Sequence, residues 1–211
     1  MTEPKTSGKI AIITTSTRTP RVGPKVSAFI HEMLLMEYQQ HQPALSLTLV
    51  DVAEFKLPLF DEPVLPALVP AQASFIYEHS KKWSTEIAQY DGYVFVIPEY
   101  NHGMSGSTKN AVDYLFHEWV GKPVLIVSYG TMGGANASKQ FKDVLQGMRL
   151  KVCATSPTLP FKGGIVDRTE GFAAGKSGIL GEATRGEWEE NKKEEILKGF
   201  GELLNLLSRQ N

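Results

Sequence analysis

Residues 92–113, GYVFVIPEYNHGMSGSTKNAVD, decide how the rest of the chain is read. Tyr93 to Ile97 is an apolar, partly β-branched run of the length of one buried strand. It stops at Pro98, and a polar turn follows: Glu99, Tyr100, Asn101, His102, Gly103. From Ser107 the period changes, with Ala111, Val112 and Leu115 on one helical face and Ser107 or Thr108 available as an N-cap. The order predicts a βα unit whose polar turn lies at the carboxyl end of the strand, where open parallel sheets bind ligands.

Upstream, Lys9 to Thr14 (KIAIIT) reads as a buried strand, followed by a turn at 15–23 and a helix opened by Pro24. Val26, Phe29, Ile30, Met33 and Leu34 form its apolar stripe. Leu45 to Val50 alternates apolar with polar, which suits an edge strand. Residues 53–71 hold Pro58, Pro63, Pro66 and Pro70, which excludes a regular helix and predicts an ordered loop with Phe55, Leu57, Leu59, Phe60 and Leu65 packed away from water. A helix is expected over 72–90, with Ile76, Trp83, Ile87 and Tyr90 inward.

Downstream, Val124 to Val127 reads as a fourth strand ending in Ser128-Tyr129-Gly130-Thr131-Met132-Gly133-Gly134. A helix over 135–148, a fifth strand over Leu150 to Thr155 and a last helix over 187–208 complete the pattern. Residues 157–187 show no periodicity and read as a flap or an oligomer contact. Strands and helices alternate with no repeat and no internal boundary. That predicts an α/β domain spanning residues 1–211: a doubly wound, five-stranded parallel sheet, flavodoxin-like, with strand order 2-1-3-4-5.

Composition sets the outer limits. A chain of 211 residues with 42% hydrophobic and 21% charged residues is ordinary for a globular protein. The net charge of −1 gives no general pull toward nucleic acid or acidic membranes. No apolar run approaches the ~20 residues of a spanning helix, and Met1 to Lys9 has no secretory h-region, so a cytoplasmic location is expected. The single cysteine, Cys153, forbids an internal disulfide and reads as a small buried hydrophobe rather than a nucleophile. The five histidines show no metal-ligand spacing, so no metal site is expected. His102 follows the polar turn and fits either a substrate contact or a solvated loop residue.

With strand order 2-1-3-4-5, the turns at 15–23, 98–106 and 128–134 rim one crevice. The first offers Ser16 and Thr17 hydroxyls, Arg18, Arg21 and the backbone N–H groups of a helix start, the parts of a phosphate cradle. Neither a Walker loop nor a Gly-x-Gly-x-x-Gly follows a strand, which excludes a dinucleotide-binding Rossmann reading. The second turn brings Pro98, the Tyr100 ring and the Asn101 amide, which suit the edge of a flat heterocycle. The third brings glycines, which let a planar ligand approach the backbone, and Tyr129, whose ring could lie against it. One anionic end and one flat end describe a mononucleotide cofactor.

Ser16-Thr17-Arg18, Pro98-Glu99-Tyr100-Asn101, Lys109-Asn110-Ala111-Val112-Asp113 and Ser128-Tyr129-Gly130 with Gly133-Gly134 together resemble the NADPH-dependent FMN reductase family. Leu115 to Pro123 running into Ser128-Tyr129-Gly130 resembles its fungal cytosolic NAD(P)H:quinone and FMN reductases. The resemblance implies FMN held by Ser16, Thr17, Arg18, Arg21 and Val22 at the phosphate, and by Pro98, Glu99, Tyr100, Asn101, Ser128, Tyr129, Gly130 and Thr131 around the ring and ribityl chain. It implies NADPH or NADH as co-substrate, quinones or related acceptors (free flavin, azo dyes, ferric complexes), and a homodimer or tetramer, with the apolar stretch around Trp119 as a candidate contact. No side chain is required as a nucleophile, because the flavin carries the hydride chemistry. Thr15 stands where the family usually has glycine. The rival reading is an electron-carrier or redox-sensor flavoprotein that serves a protein partner.

Overall fold

The computed structural model describes residues 8–38, 44–71 and 74–209. Along the chain run β1 (Gly8–Thr14), α1 (Gly23–Tyr38), β2 (Leu45–Asp51), α2 (Glu78–Ala88), β3 (Gly92–Tyr100), β4 (Gly103–Met104), α3 (Gly106–Asp113), β5 (Pro123–Gly130), α4 (Ala135–Gly147), β6 (Lys151–Val152), β7 (Thr158–Pro160), α5 (Thr169–Ser177), α6 (Glu182–Asn191) and α7 (Lys193–Ser208). Short 3-10 turns occupy Val52–Phe55 and Pro66–Leu68. The start of the helix expected over 72–90 falls outside the described residues.

The sheet runs β2-β1-β3-β5-β6, with β7 also parallel to β5 and β4 folded back antiparallel on β3. The doubly wound, flavodoxin-like parallel arrangement is as expected, and β2 is the edge. The count differs, because seven strands replace five and the fifth position is split. β6 pairs with Pro123 and Val124, and β7 with Ser128 to Gly130. Between them, side chains take over from the ladder. Glu202 accepts the Thr155 N–H at 2.8 Å and the Thr155 hydroxyl at 2.6 Å, and Lys142 donates to the carbonyls of Cys153 and Ala154.

Inner strands are buried on both faces, and their alternation sorts two cores. Ile10, Ile12, Val94, Val96, Leu125 and Val127 face α1, α6 and α7. Ala11, Ile13, Tyr93, Phe95, Val124 and Ile126 face α2, α3 and α4. The α1 stripe is buried as predicted.

Several local expectations are corrected. β3 continues through Pro98 to Tyr100, and pairing with β1 has already ended at Val96, so the missing N–H falls where β3 has lost that neighbour. The hairpin into β4 turns on Asn101 and His102, both with positive φ (49° and 64°). Ile76 lies ahead of α2 and is 58% exposed, while Phe75 takes the buried place. In the proline-rich segment Leu59 and Leu65 are exposed, against expectation; Phe55, Leu57 and Phe60 do pack on the core. The last helix is two, because the chain leaves helical geometry at Lys192. Residues 157–187 are not irregular: they supply β7, α5 and most of α6.

Trp119 is fully buried rather than part of a surface edge. Its ring meets Tyr93 at 4.9 Å, Phe95 at 5.7 Å and Trp83 at 6.3 Å, and its indole N–H donates to the Val112 carbonyl. Among the described residues no helix is long and apolar enough to cross a membrane. Trp119→Ala is expected to cost about 3–5 kcal/mol in urea unfolding. A loss below about 1 kcal/mol, the level of an ordinary surface substitution, would contradict that packing.

Candidate functional site

The crevice begins where β1 ends. Thr15 donates its N–H and its hydroxyl to the Val96 carbonyl, at 3.3 and 3.2 Å, and so anchors the first turn to β3. Its hydroxyl also accepts from Thr108 at 2.7 Å, and Thr108 in turn meets Ser105, the N-cap of α3, at 2.8 Å. A buried run of hydroxyls thus joins the first and second turns. A glycine at position 15 could not make it.

Ser16 is fully buried beside the start of α1, and its hydroxyl makes no hydrogen bond of good geometry, with the Tyr129 hydroxyl standing nearby. A Cβ on Gly23 would fall 2.1 Å from Ser16 Oγ and 2.8 Å from the Tyr129 hydroxyl, so both hydroxyls converge on a space that only glycine leaves open. Tyr129 is 4% exposed and stands edge-on to Phe161; it brings its hydroxyl to the helix start rather than a free stacking face. Burial pushes that phenol above its ordinary range, with the adjoining Ser16 hydroxyl, Arg18 and Arg21 pulling partly back.

The two arginines of the first turn have different surroundings. Arg21 forms a two-pronged pair with Asp51 at 3.1 and 2.6 Å and donates to the Ser16 carbonyl at 2.9 Å. It therefore braces the turn against the end of β2. Arg18 is exposed and, among the described residues, bonds only to the Pro20 carbonyl, which leaves most of its guanidinium open to a ligand.

In the second turn, Glu99 accepts the N–H groups of Asn136 and Ala137, at 3.0 and 3.1 Å. Gly134, the N-cap of α4, has no side chain to do this, so Glu99 caps α4 from another strand. Asn110 of α3 donates to the Pro58 carbonyl and accepts from the Phe60 N–H, pinning the proline-rich segment. In the third turn, Ser128 donates to the Gly133 carbonyl at 2.9 Å and so shapes the turn from beneath.

Arg18, Val22, Pro98, Glu99, Tyr100, Tyr129, Gly130 and Thr131 line one crevice of about 130 Å³. Ser16 sits beneath the α1 start and Ser128 is buried under its own turn. Thr17 opens instead onto a cavity of about 430 Å³ beside Lys56, Leu57 and Ser107. Asn101 lies on another of about 310 Å³, which shares Glu99 and Thr131 with the crevice. Together the crevice and this last cavity reach the size of a small-ligand site.

Phe161, Gly171 and Gly175 also line the crevice and were not legible as site residues. A Cβ on Gly175 would lie 3.4 Å from Arg18, and one on Gly178 would lie 3.0 Å from the Arg21 carbonyl. α5 thus lays a face without side chains across the first turn. The recurrence of glycine at 171, 175 and 178, at helical spacing, was the available signal. Cys153 is buried, and burial together with Glu202 pushes its thiol up to about 12, which leaves it unreactive at neutral pH.

The model of the family described as NADPH-dependent FMN reductase matches residues 8–162. An NAD(P)H-dependent FMN reductase of Nectria sp, ntnL, is 48% identical over 205 residues, covering 95% of this chain and 98% of that one. A quinone reductase of Pseudomonas putida is 29% identical over 143 residues, covering 64% and 68%. Among solved structures, an oxidoreductase of Corynebacterium diphtheriae superposes with a TM-score of 0.65 at 17% identity, covering 97% and 99%, a likeness of fold.

Thr15→Val, which keeps the shape and removes the hydroxyl, is expected to cost about 1–2 kcal/mol in chemical unfolding. Amide exchange should quicken in both turns at once. Quickening confined to the first turn would show that the hydroxyl run does not couple them.

Proposed function

The chain belongs to the NADPH-dependent FMN reductase family, and from that membership we propose that it carries reducing equivalents from NADPH or NADH, through FMN, to quinones or related small acceptors. It is an oxidoreductase. The observation that carries the reading is the Ser16 hydroxyl, fully buried without a hydrogen bond of good geometry beside the N-terminus of a sixteen-residue helix. An unsatisfied buried hydroxyl costs ~1–3 kcal/mol, and a ligand oxygen placed there removes that cost. A helix start and the exposed Arg18 guanidinium make an anionic ligand the fitting one.

The residues therefore fit FMN. Its phosphate would be held by Ser16 and Arg18, with Val22 beside them, Arg21 bracing the turn through Asp51 and Thr17 facing the neighbouring cavity. Its flat end would meet the backbone and side chains of Pro98, Glu99, Tyr100, Tyr129, Gly130 and Thr131, with Asn101 on the adjoining cavity and Ser128 fixing the third turn from below. When bound, FMN supplies the redox chemistry, accepting hydride from NAD(P)H and returning two electrons to an acceptor.

The protein's own contribution is placement and electrostatics. Glu99 commits its carboxylate to the α4 N-terminus, so the second turn presents no unbalanced negative charge to a ring that gains electrons. Tyr129 and Gly23 keep the phosphate end narrow. α5 covers the crevice with backbone instead of side chains, excluding water without filling the space. The quinone reductase relative supports quinone as the acceptor class.

Donor and acceptor using one exposed face must alternate. Double-reciprocal plots at several quinone concentrations should be parallel, and stopped-flow bleaching of bound flavin by NADPH should be at least as fast as turnover. Intersecting lines with slow bleaching by both nicotinamides would defeat the proposal. Arg18→Ala is expected to weaken FMN binding about five- to tenfold, a modest loss because the side chain is exposed and screened. Asp51→Ala should reproduce the effect of Arg21→Ala, since both release the same turn; an Arg18→Ala protein that keeps its flavin through dialysis would remove Arg18 from the site.

A further inference from the structure

We propose that the cavity walled by Met132, Ile165 and Phe172 and bordered by Arg168 and His102 is the acceptor subsite, and that it favours aromatic acceptors carrying an anionic group; this rests on the reductase reading above. The cavity measures about 310 Å³, room for a two- or three-ring quinone. It shares Glu99 and Thr131 with the crevice, so its occupant lies against the same wall as the cofactor site.

Three of its eight lining residues, Met132, Ile165 and Phe172, form an apolar and open part of the wall, and the rest of the wall is polar: Glu99, Asn101, His102, Thr131 and Arg168. Met132, Ile165 and Phe172 are 57%, 54% and 66% exposed, a concentration of exposed apolar surface of the kind that marks binding sites. Arg168 supplies the selective element. Its Nε donates to the Ile165 carbonyl at 3.4 Å, and no ion pair among the described residues engages its terminal nitrogens. Arg21 and Arg185, by contrast, are both tied to carboxylates. The one carboxylate lining the cavity, Glu99, is turned to the α4 N-terminus. A flat apolar body with an anionic edge complements that combination, and the aromatic face of Phe172 complements its rings.

Ile165, Arg168 and Phe172 lie beyond residue 162, where the family match ends, whereas the wall they face lies within it. The region of the family match supplies most of the cofactor crevice, closed by Gly171 and Gly175 of α5, and Ile165, Arg168 and Phe172 beyond that match select the acceptor. The net reaction is balanced: quinone, NAD(P)H and one proton give hydroquinone and NAD(P)⁺.

The test compares a sulfonated naphthoquinone with neutral menadione, using the FMN-loaded wild type, Arg168→Gln and Phe172→Ala. Calorimetric titration without nicotinamide reads binding, and steady-state assays read KM. Arg168→Gln should weaken the sulfonate roughly five- to tenfold and menadione less than about twofold, with the difference shrinking as salt rises. Phe172→Ala should weaken both. Any change in KM for the nicotinamides in Arg168→Gln should be the same for NADPH and NADH. Equal effects on both quinones, or a change confined to NADPH relative to NADH, would overturn the proposal, the latter by assigning Arg168 to the nucleotide phosphate. Failure of either quinone to bind would also overturn it and leave the apolar patch to a protein contact. Normal turnover indifferent to Arg168 would sink the subsite alone. Arg168-dependent binding without turnover would sink the reductase reading and keep the subsite.

Discussion

The Thr108 hydroxyl, donating to Thr15 across the top of the sheet, is the contact on which the site's geometry depends. Parallel strands bring their carboxyl ends to one edge, but the turns that leave them are free to splay. Here the first turn is tied to β3 by two bonds from Thr15 to the Val96 carbonyl, and the second is tied to the first through Thr108 and Ser105. Because these groups are buried, each bond is shielded from water and breaking one strands a polar atom. The crevice inherits the rigidity of the sheet.

The same economy runs through the charged groups. Asp51 at the end of β2 holds Arg21, and Glu99 at the end of β3 holds the start of α4. Each carboxylate that could repel an electron-rich ligand is matched to a local positive partner. Among the described residues, Arg18 on one side of the crevice and Arg168 on the other make no ion pair. Fixed structure therefore cancels most of the local charge and leaves two guanidinium groups for ligands.

The fold was legible where burial on both faces writes long apolar runs. KIAIIT, YVFVI and VLIV needed no tertiary information to be placed, and the alternation of Leu45 to Val50 marked an edge. Legibility failed where side chains replace ladders. Nothing local in Leu150 to Thr155 reveals that Glu202 and Lys142 would satisfy its backbone and split the strand. It failed also for Trp119, whose burial depends on Tyr93, Phe95 and Trp83, all distant in sequence. In the site, the three turns were found because their residue types are chemically unusual. The roles of Arg21, Glu99 and Ser128 were not, because those follow from which neighbour each side chain reaches.

The glycine-rich stretch before α6 is the clearest case of function hidden by composition. Read alone, Gly171, Gly175 and Gly178 suggest a loose connection, since glycine costs a helix about 1 kcal/mol per residue relative to alanine. In place, the missing side chains let α5 approach Arg18, Arg21 and Thr131 closely enough to cover the first turn. A helix with ordinary side chains would either fill the crevice or stand away from it. The helical cost of those glycines is thus offset by a close fit, and the same helix carries Phe172 just beyond the cover, with Arg168 at its N-cap. With FMN in the crevice and the acceptor in the adjoining cavity, as proposed, substitutions along this one short element should separate the two by face: the glycine face acts on flavin retention, the Arg168 and Phe172 face on acceptor choice.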